Sequence, residues 1–380
     1  MPVLPAMTKP NILISAGDPS GEMYAARLAR ALGHRVEAHL FGLGGPRMRE
    51  AGVELVAENS AIAVVGITEV LGKAPTVWRL IRQMADEASR RKPSLAILVD
   101  SPGFNLRLAR RLATQGVPIV YFISPHVWAW KRWRVHAIRK RVKKMLCIFP
   151  FEEKYYRQQG VEADFVGHPQ VDEVKARRNR AEFAGKYNMD PARPIIVLLP
   201  GSRRNELKYN LPVMMDACQL IGAEQPAQFA LALAPGLRPA EVVPYARAEV
   251  AVHIVEDETY NALAAADVSI VSSGTATVEA ALLGAPMVVV YRLAPTTAFL
   301  LRRLVQTPFF SMVNLIAGRR VVTELFQDEF TAKRVASEVL RLLGSVETRE
   351  EMQRGLAEVR TKLGPGGAME RAAEIIAAML

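Results

Sequence analysis

The sequence predicts an α/β protein made of two Rossmann-like halves with a helical C-terminus, and three observations carry that prediction. Short apolar strands repeatedly run into small residues and then a helical pattern, as at Asn11 to Ser15, Leu95 to Val99, Ile195 to Leu199 and Val268 to Val271. This pattern lapses over a polar, strand-poor segment from Val171 to Arg193, read as the linker between the domains, and then restarts. From Thr331 onward only helical patterns remain, broken at Gly364-Pro365-Gly366-Gly367.

A chain of 380 residues, half of them hydrophobic, is long for one core and suits two α/β domains of ordinary size. Cys147 and Cys218 stand in apolar surroundings without ligand spacing, so buried thiols in a reducing compartment are expected rather than disulfides or zinc. Pro2, Pro5, Pro10 and a single basic residue, Lys9, precede the first strand; no secretory signal is expected, and a cytoplasmic location is. The longest uncharged run, Leu112 to Trp130, is interrupted by Gly116, Pro118, Pro125 and His126 and reads as strand plus loop, not as a membrane span. The formal charge of +11 calls for an anionic partner without choosing among nucleic acid, lipid headgroups and phosphorylated substrates.

In the first half, Asn11 to Ser15 enters the loop Ala16-Gly17-Asp18-Pro19-Ser20-Gly21-Glu22, and a helix follows over Tyr24 to Leu32, closed by Gly33. The loop lacks Gly-x-Gly-x-x-Gly, and Asp18 and Glu22 put negative charge where a pyrophosphate would sit. A hydroxyl-rich ligand such as a sugar therefore fits better than a dinucleotide. A second strand ends at Leu40 to Pro46. A third unit runs through Leu95 to Val99 into Asp100-Ser101-Pro102-Gly103-Phe104-Asn105. Ligands of open α/β sheets bind outside the carboxyl ends of the strands, so Asp100 is favoured as a general base over the alternative that it caps the next helix. Pro118 to Ile123 leads into Ser124-Pro125-His126-Val127-Trp128-Ala129-Trp130, whose imidazole and rings suit a sugar or an aglycone; that both indoles pack into the core is equally open. Lys131 to Lys144 sets eight Lys or Arg residues around Val135, Ile138, Val142 and Met145, the pattern of a packed helix with a solvated basic face rather than of a nucleic-acid surface.

In the second half, Ile195 to Leu199 enters the turn Pro200-Gly201-Ser202-Arg203-Arg204-Asn205-Glu206, where a guanidinium at the end of the strand can pair with a diphosphate. Further strands are expected near Phe229 to Leu233, Val250 to Ile254, Val268 to Val271 and Met287 to Tyr291. After Val271, Gly274 allows close backbone approach, and the N–H groups of the helix starting near Thr275 favour a diphosphate. Glu279, a turn further on, can accept from two ribose hydroxyls. An ordinary strand-to-helix turn with a surface Glu is the open alternative for this stretch.

Taken together, Ala16 to Glu22, Asp100 to Asn105, Ser124 to Trp130, Leu199 to Arg203, Ser273 to Glu279 and Asn314 to Arg319 closely resemble the lipid-A-disaccharide synthase family over nearly the whole chain. The resemblance implies a GT-B fold, two Rossmann-like domains facing a cleft. The acceptor domain would fall at 1–175, the UDP-sugar domain at 190–345 and C-terminal helices at 346–380, with a crossing back to the first domain as one option. It implies an inverting transfer from UDP-2,3-diacylglucosamine to 2,3-diacylglucosamine 1-phosphate through a β-1,6 bond, giving lipid A disaccharide 1-phosphate and UDP. Asp100 matches the family's proposed base, Arg203 a UDP-binding arginine, and Gly274, Thr275 and Glu279 the cradle for diphosphate and ribose. Ser20, Glu22, His126 and Asn314 complete the candidate substrate contacts. Some relatives carry a second Asp at the third position after the base; here that position is Gly103.

No cofactor or metal is expected, since the chain has no Asp-x-Asp pair to bridge a metal to a diphosphate. The expected partners are the UDP-sugar donor, the acylated glucosamine phosphate acceptor and the cytoplasmic face of the inner membrane, to which the protein would bind peripherally. Nucleic acid is not among them, and a homodimer is one of the open oligomeric states. Ala61 to Leu71, followed by Lys73, Val77, Trp78, Arg79, Leu80, Ile81 and Arg82, reads as a membrane-contacting segment or as a core helix, and the resemblance favours the first. The alternative function is a UDP-sugar epimerase on the same fold, which needs a nucleotide cradle but no acyl-binding surface.

Overall fold

The computed structural model describes residues 9–61, 74–129, 132–294 and 307–380. The chain forms two compact units. One runs to Pro169 and takes in Pro365–Leu380, and the other spans Gln170–Gly364.

The first unit is built on a parallel sheet of β1 (Asn11–Ala16), β2 (His39–Gly44), β3 (Glu54–Glu58), β4 (Leu95–Val99), β5 (Ile119–Phe122), β6 (Lys144–Cys147) and β7 (Ala163–Phe165). Their order is β3-β2-β1-β4-β5-β6-β7. Every residue of β4 and β5 is buried, as expected of parallel strands covered on both faces. β1 pairs with β4 from Ile12 opposite Leu95 to Ala16 opposite Val99. The strand order reverses between these two, so the segments leaving them emerge side by side at the switch point.

The first helix, Pro19–Gly33, starts five residues earlier than the hydrophobic pattern suggests. Asp18 caps it by accepting the Gly21 N–H at 2.8 Å, and Pro19 fits the first turn, where no N–H is needed. Ser20 and Glu22 are therefore helical residues rather than loop residues. The helix Ala74–Arg91 buries Leu80, Ile81, Met84 and Ala88 in the core and leaves Trp78 exposed. Residues 62–73, which hold most of the apolar stretch considered for membrane contact, lie outside the described residues, as do Trp130 and Lys131. The basic helix Val135–Arg141 buries Val135 and Ile138, with Val142 and Met145 behind them, as its apolar stripe predicts.

The second unit is a parallel sheet of β8 (Ile195–Leu199), β9 (Gln228–Ala232), β10 (Val252–Val255), β11 (Val268–Ser272), β12 (Met287–Tyr291) and β13 (Thr323–Phe326), ordered β10-β9-β8-β11-β12-β13. Its switch point lies between β8 and β11, where Leu199 pairs with Val271. The polar segment after Val171 is part of this unit and not a free linker. Phe183 and Ala184 are buried, Asn261 Oδ1 accepts the backbone N–H groups of Arg177 and Arg178, and Arg180 reaches Asp267 at 2.8 Å and the Ala265 carbonyl at 2.6 Å.

The C-terminal helices divide. Val346–Lys362 packs on Thr275–Leu282 and Met312–Ala317 in the second unit, while Ala368–Ala377 packs on Pro19–Gly33 in the first, where Arg371 donates to the Val166 carbonyl at 2.9 Å. No helix among the described residues is long and apolar enough to cross a membrane.

Candidate active site

At the carboxyl ends of the second sheet lies a cavity of about 1400 Å³, bordered by Leu199, Ala232, Ser272 and Tyr291 from four strands and by the turns that follow them. Arg203, Gly274, Thr275 and Glu279, four of the residues expected to hold a nucleotide, all line it. The β8 turn is shaped by Glu206, whose carboxylate accepts the N–H groups of Ser202 (2.8 Å) and Arg203 (3.3 Å). Gly201, at φ 123°, passes over that carboxylate; a Cβ there would sit 2.4 Å from Glu206 Oε2, so only glycine fits. Arg203 leaves this turn with its side chain 73% exposed, able to reach a ligand.

Across the switch point, Gly274 has φ 152°, a positive value open to glycine, and precedes the helix Thr275–Leu282. The first N–H groups of that helix have no acceptor within it and carry the positive end of its dipole, the usual anchor of a diphosphate. Glu279 Oε1 accepts from Gln170 Nε2 at 2.9 Å and from the Tyr260 hydroxyl at 3.3 Å. Burial raises the Glu279 pKa, and these two bonds oppose the rise.

At the switch point of the first sheet stand Asp100 and Asp18. Asp100 (φ 45°) and Ser101 (φ 46°) are consecutive left-handed residues, each costing on the order of 1–3 kcal/mol of backbone strain. The turn holds because it is overdetermined. Asn105, fully buried, donates to the carbonyls of Val99 and Asp100 at 2.9 Å and accepts the Ser15 hydroxyl at 2.8 Å. The Tyr121 hydroxyl also donates to the Asp100 carbonyl, and Ser101 Oγ accepts the Gly17 N–H at 3.0 Å while donating to Asp18. The capping alternative for Asp100 does not hold, because the residue flanking the helix Pro102–Thr114 is Ser101. Burial and, behind it, the nearby Asp18 charge push the Asp100 carboxyl up to about 7. A base poised near neutrality is well matched to general-base work.

The remaining candidates have other engagements. Ser20 donates to Asp18 at 2.9 Å, within the Asp100 neighbourhood. Glu22 is buried and accepts from the Arg47 N–H (3.0 Å) and Asn59 Nδ2 (3.2 Å), a clasp joining the first helix to the short helix after β2 and the turn after β3. His126 is exposed and rests against Trp128, ring centroids 5.5 Å apart. Trp128 itself is in the core, where its indole donates to the buried Glu152 at 3.0 Å, so the core reading holds for this ring. Asn314 is fully buried with its amide spent inside the protein, donating to the Val322 carbonyl and Glu324 and accepting from the N–H groups of Val321 and Val322. It does not line the cavity.

Tyr260 and Asn261 were missed, although they follow Val255 at the end of a strand just as Gly274 follows β11. The partnership of Gln170 with Glu279 has no local sequence signal. Among the described residues no cluster of three metal-ligating side chains occurs.

A sequence model of the family described as lipid-A-disaccharide synthetase matches residues 12–378. The lipid-A-disaccharide synthase of Myxococcus xanthus is 43% identical over 374 residues, covering 98% of either chain. That of Acidobacterium capsulatum is 45% identical over 373 residues, covering 94% of this chain and 93% of its own. Among solved structures, the calicheamicin glycosyltransferase superposes with a TM-score of 0.59 at 17% identity, over 98% of this chain and 99% of its own. The UDP-GlcNAc 2-epimerase of Neisseria meningitidis, solved bound to UDP-GlcNAc, superposes with a TM-score of 0.66 at 11% identity, over 97% of this chain and 99% of its own. At such identities the structures speak for the fold alone, which is GT-B.

Proposed function

The chain belongs to the lipid-A-disaccharide synthase family, and on that premise we propose that this glycosyltransferase of lipid A biosynthesis joins UDP-2,3-diacylglucosamine to 2,3-diacylglucosamine 1-phosphate. The new bond is β-1,6, formed with inversion, and the products are lipid A disaccharide 1-phosphate and UDP. The observation that carries this reading is Asp100, a partly exposed carboxylate with a pKa raised to about 7, fixed on a strained turn at a sheet switch point.

Asp100 takes the proton from the acceptor 6-hydroxyl as that oxygen attacks the anomeric carbon. The bond to the UDP oxygen breaks on the opposite face, and the leaving diphosphate is stabilised by Arg203 and the N–H groups at the start of the helix Thr275–Leu282. Glu279 accepts from the ribose hydroxyls. Its Oε1 already takes two donors, so Oε2 is the oxygen for that task. Because both substrates carry acyl chains, the expected place of work is the cytoplasmic face of the inner membrane, with the protein bound peripherally. An epimerase shares the fold but not the family, and is not favoured.

The test is UDP release from the acylated donor with and without the acceptor. Release that depends on the acceptor supports transfer, whereas release or sugar isomerisation without it would support an epimerase.

A further inference from the structure

Between Asp100 and Glu152 the chain has no Asp or Glu and eleven Lys or Arg, which equals the whole formal excess of +11 and leaves the rest with 38 residues of each sign. The structure turns most of these cations to one kind of surface. The helix Pro102–Thr114 buries Phe104, Leu108 and Leu112 and exposes Arg107, Arg110 and Arg111 along one stripe. It packs on Val135–Arg141, whose Arg139 and Lys140 are exposed. Of the described cations in this stretch, Lys144 pairs with carboxylates, Glu162 and Asp164, and none of the others forms an ion pair among the described residues. Burial and then the neighbouring Arg107 charge lower the Arg134 pKa, a sign of charge left unrelieved within the fold.

Among these cations stands Trp133, 67% exposed, with the Arg134 guanidinium carbon 5.5 Å from its ring centroid. An indole that the core does not use, surrounded by uncompensated cations, has the chemistry of the headgroup layer. The ring sits among the glycerol groups and the cations meet phosphates. A single-stranded nucleic acid would be met by several stacking rings along a groove, and among the described residues this face offers one.

We propose that the face carrying Arg107, Arg110, Arg111, Trp133, Arg139 and Lys140 docks the protein on an anionic lipid bilayer. The proposal rests on the reading that the substrates are membrane lipids. It places the contact on the helices Pro102–Thr114 and Val135–Arg141, segments of the sequence other than Ala61 to Leu71.

Co-sedimentation with vesicles tests it. The full chain should bind phosphatidylglycerol-containing vesicles, release them as salt rises and bind pure phosphatidylcholine poorly. Arg110→Glu, Arg111→Glu and Lys140→Glu together should weaken partitioning more than tenfold, while Arg110→Lys, Arg111→Lys and Lys140→Arg together should preserve it. Trp133→Phe should abolish the component of tryptophan quenching by brominated lipid that the parent shows. Detergent-dispersed substrates should be turned over as by the parent in all these variants. Equal vesicle binding by the charge-reversed and parent chains, loss of binding in the charge-conserving variant, or preference for RNA over anionic vesicles would overturn the proposal. Absence of UDP release by the parent in detergent would instead overturn the transferase reading and leave the docking result standing.

Discussion

The hydroxyl of Tyr121 donates to the backbone carbonyl of Asp100 at 2.6 Å, so the residue proposed as base is braced from behind by a fully buried ring on the neighbouring strand. The brace matters because the Asp100 backbone is left-handed and would relax if its carbonyl partners were lost. Tyr121→Phe removes one of them. It should cost about 0.5–1.5 kcal/mol of stability and lower kcat well below the parent value, with UDP affinity unchanged. Unchanged kcat would mean that Asn105 and Ser101 suffice to hold the turn.

Asp100→Asn should abolish turnover and at the same time stabilise the protein in alkaline buffer. The folded-state pKa is raised, from 3.8 to about 7, so the folded protein holds the proton more tightly than the unfolded chain. Stability from this group is complete below pH 3.8 and is lost as pH rises through about 7. The Asn variant avoids that loss, by roughly 2–4 kcal/mol at most. Thermal unfolding should therefore show the variant and parent alike at pH 4 and the variant with the higher Tm at pH 9. Parallel Tm curves across that range would remove the raised pKa from the account.

Asp18 contributes negative charge beside Asp100, and Asn is as good a helix cap as Asp. Asp18→Asn should thus leave the fold intact and make Asp100 easier to ionise. The rising acid limb of the kcat profile, near pH 7 in the parent, should move to lower pH. An unmoved limb with reduced kcat would assign Asp18 a purely structural part.

Arg203→Ala should weaken UDP binding by roughly 1.5–3 kcal/mol, the range for a hydrogen bond to a charged group, and leave the turn itself formed, since Glu206 holds it through backbone N–H groups. Calorimetry with UDP reads this directly, and unchanged affinity would exclude Arg203 from the nucleotide site. With arginine and helix N–H groups carrying the leaving charge, UDP release should also persist in EDTA.

The two sheets and the turns at their switch points were legible in the sequence because the signals are local. A short apolar strand followed by small residues marks both switch points, and it led to Asp100, Arg203, Gly274 and Glu279. What was not legible depends on partners distant in sequence. Arg180 finds Asp267 87 residues away, which turns an apparent linker into structure. Asn314 stood among the candidate substrate contacts and Trp128 was open between a ligand and the core; a buried amide or indole goes where its hydrogen bonds can be satisfied, and Val322, Glu324 and Glu152 supply them inside the protein.

The central claim is tested most directly by the structure of the product. The purified chain should be given UDP-2,3-diacylglucosamine and 2,3-diacylglucosamine 1-phosphate, and the linkage and anomeric configuration of the disaccharide read by NMR. The account predicts one β-1,6-linked disaccharide 1-phosphate formed in step with UDP, and none from the Asp100→Asn variant. An α-linked product, or a β-1,6 product formed at the parent rate by that variant, would contradict it.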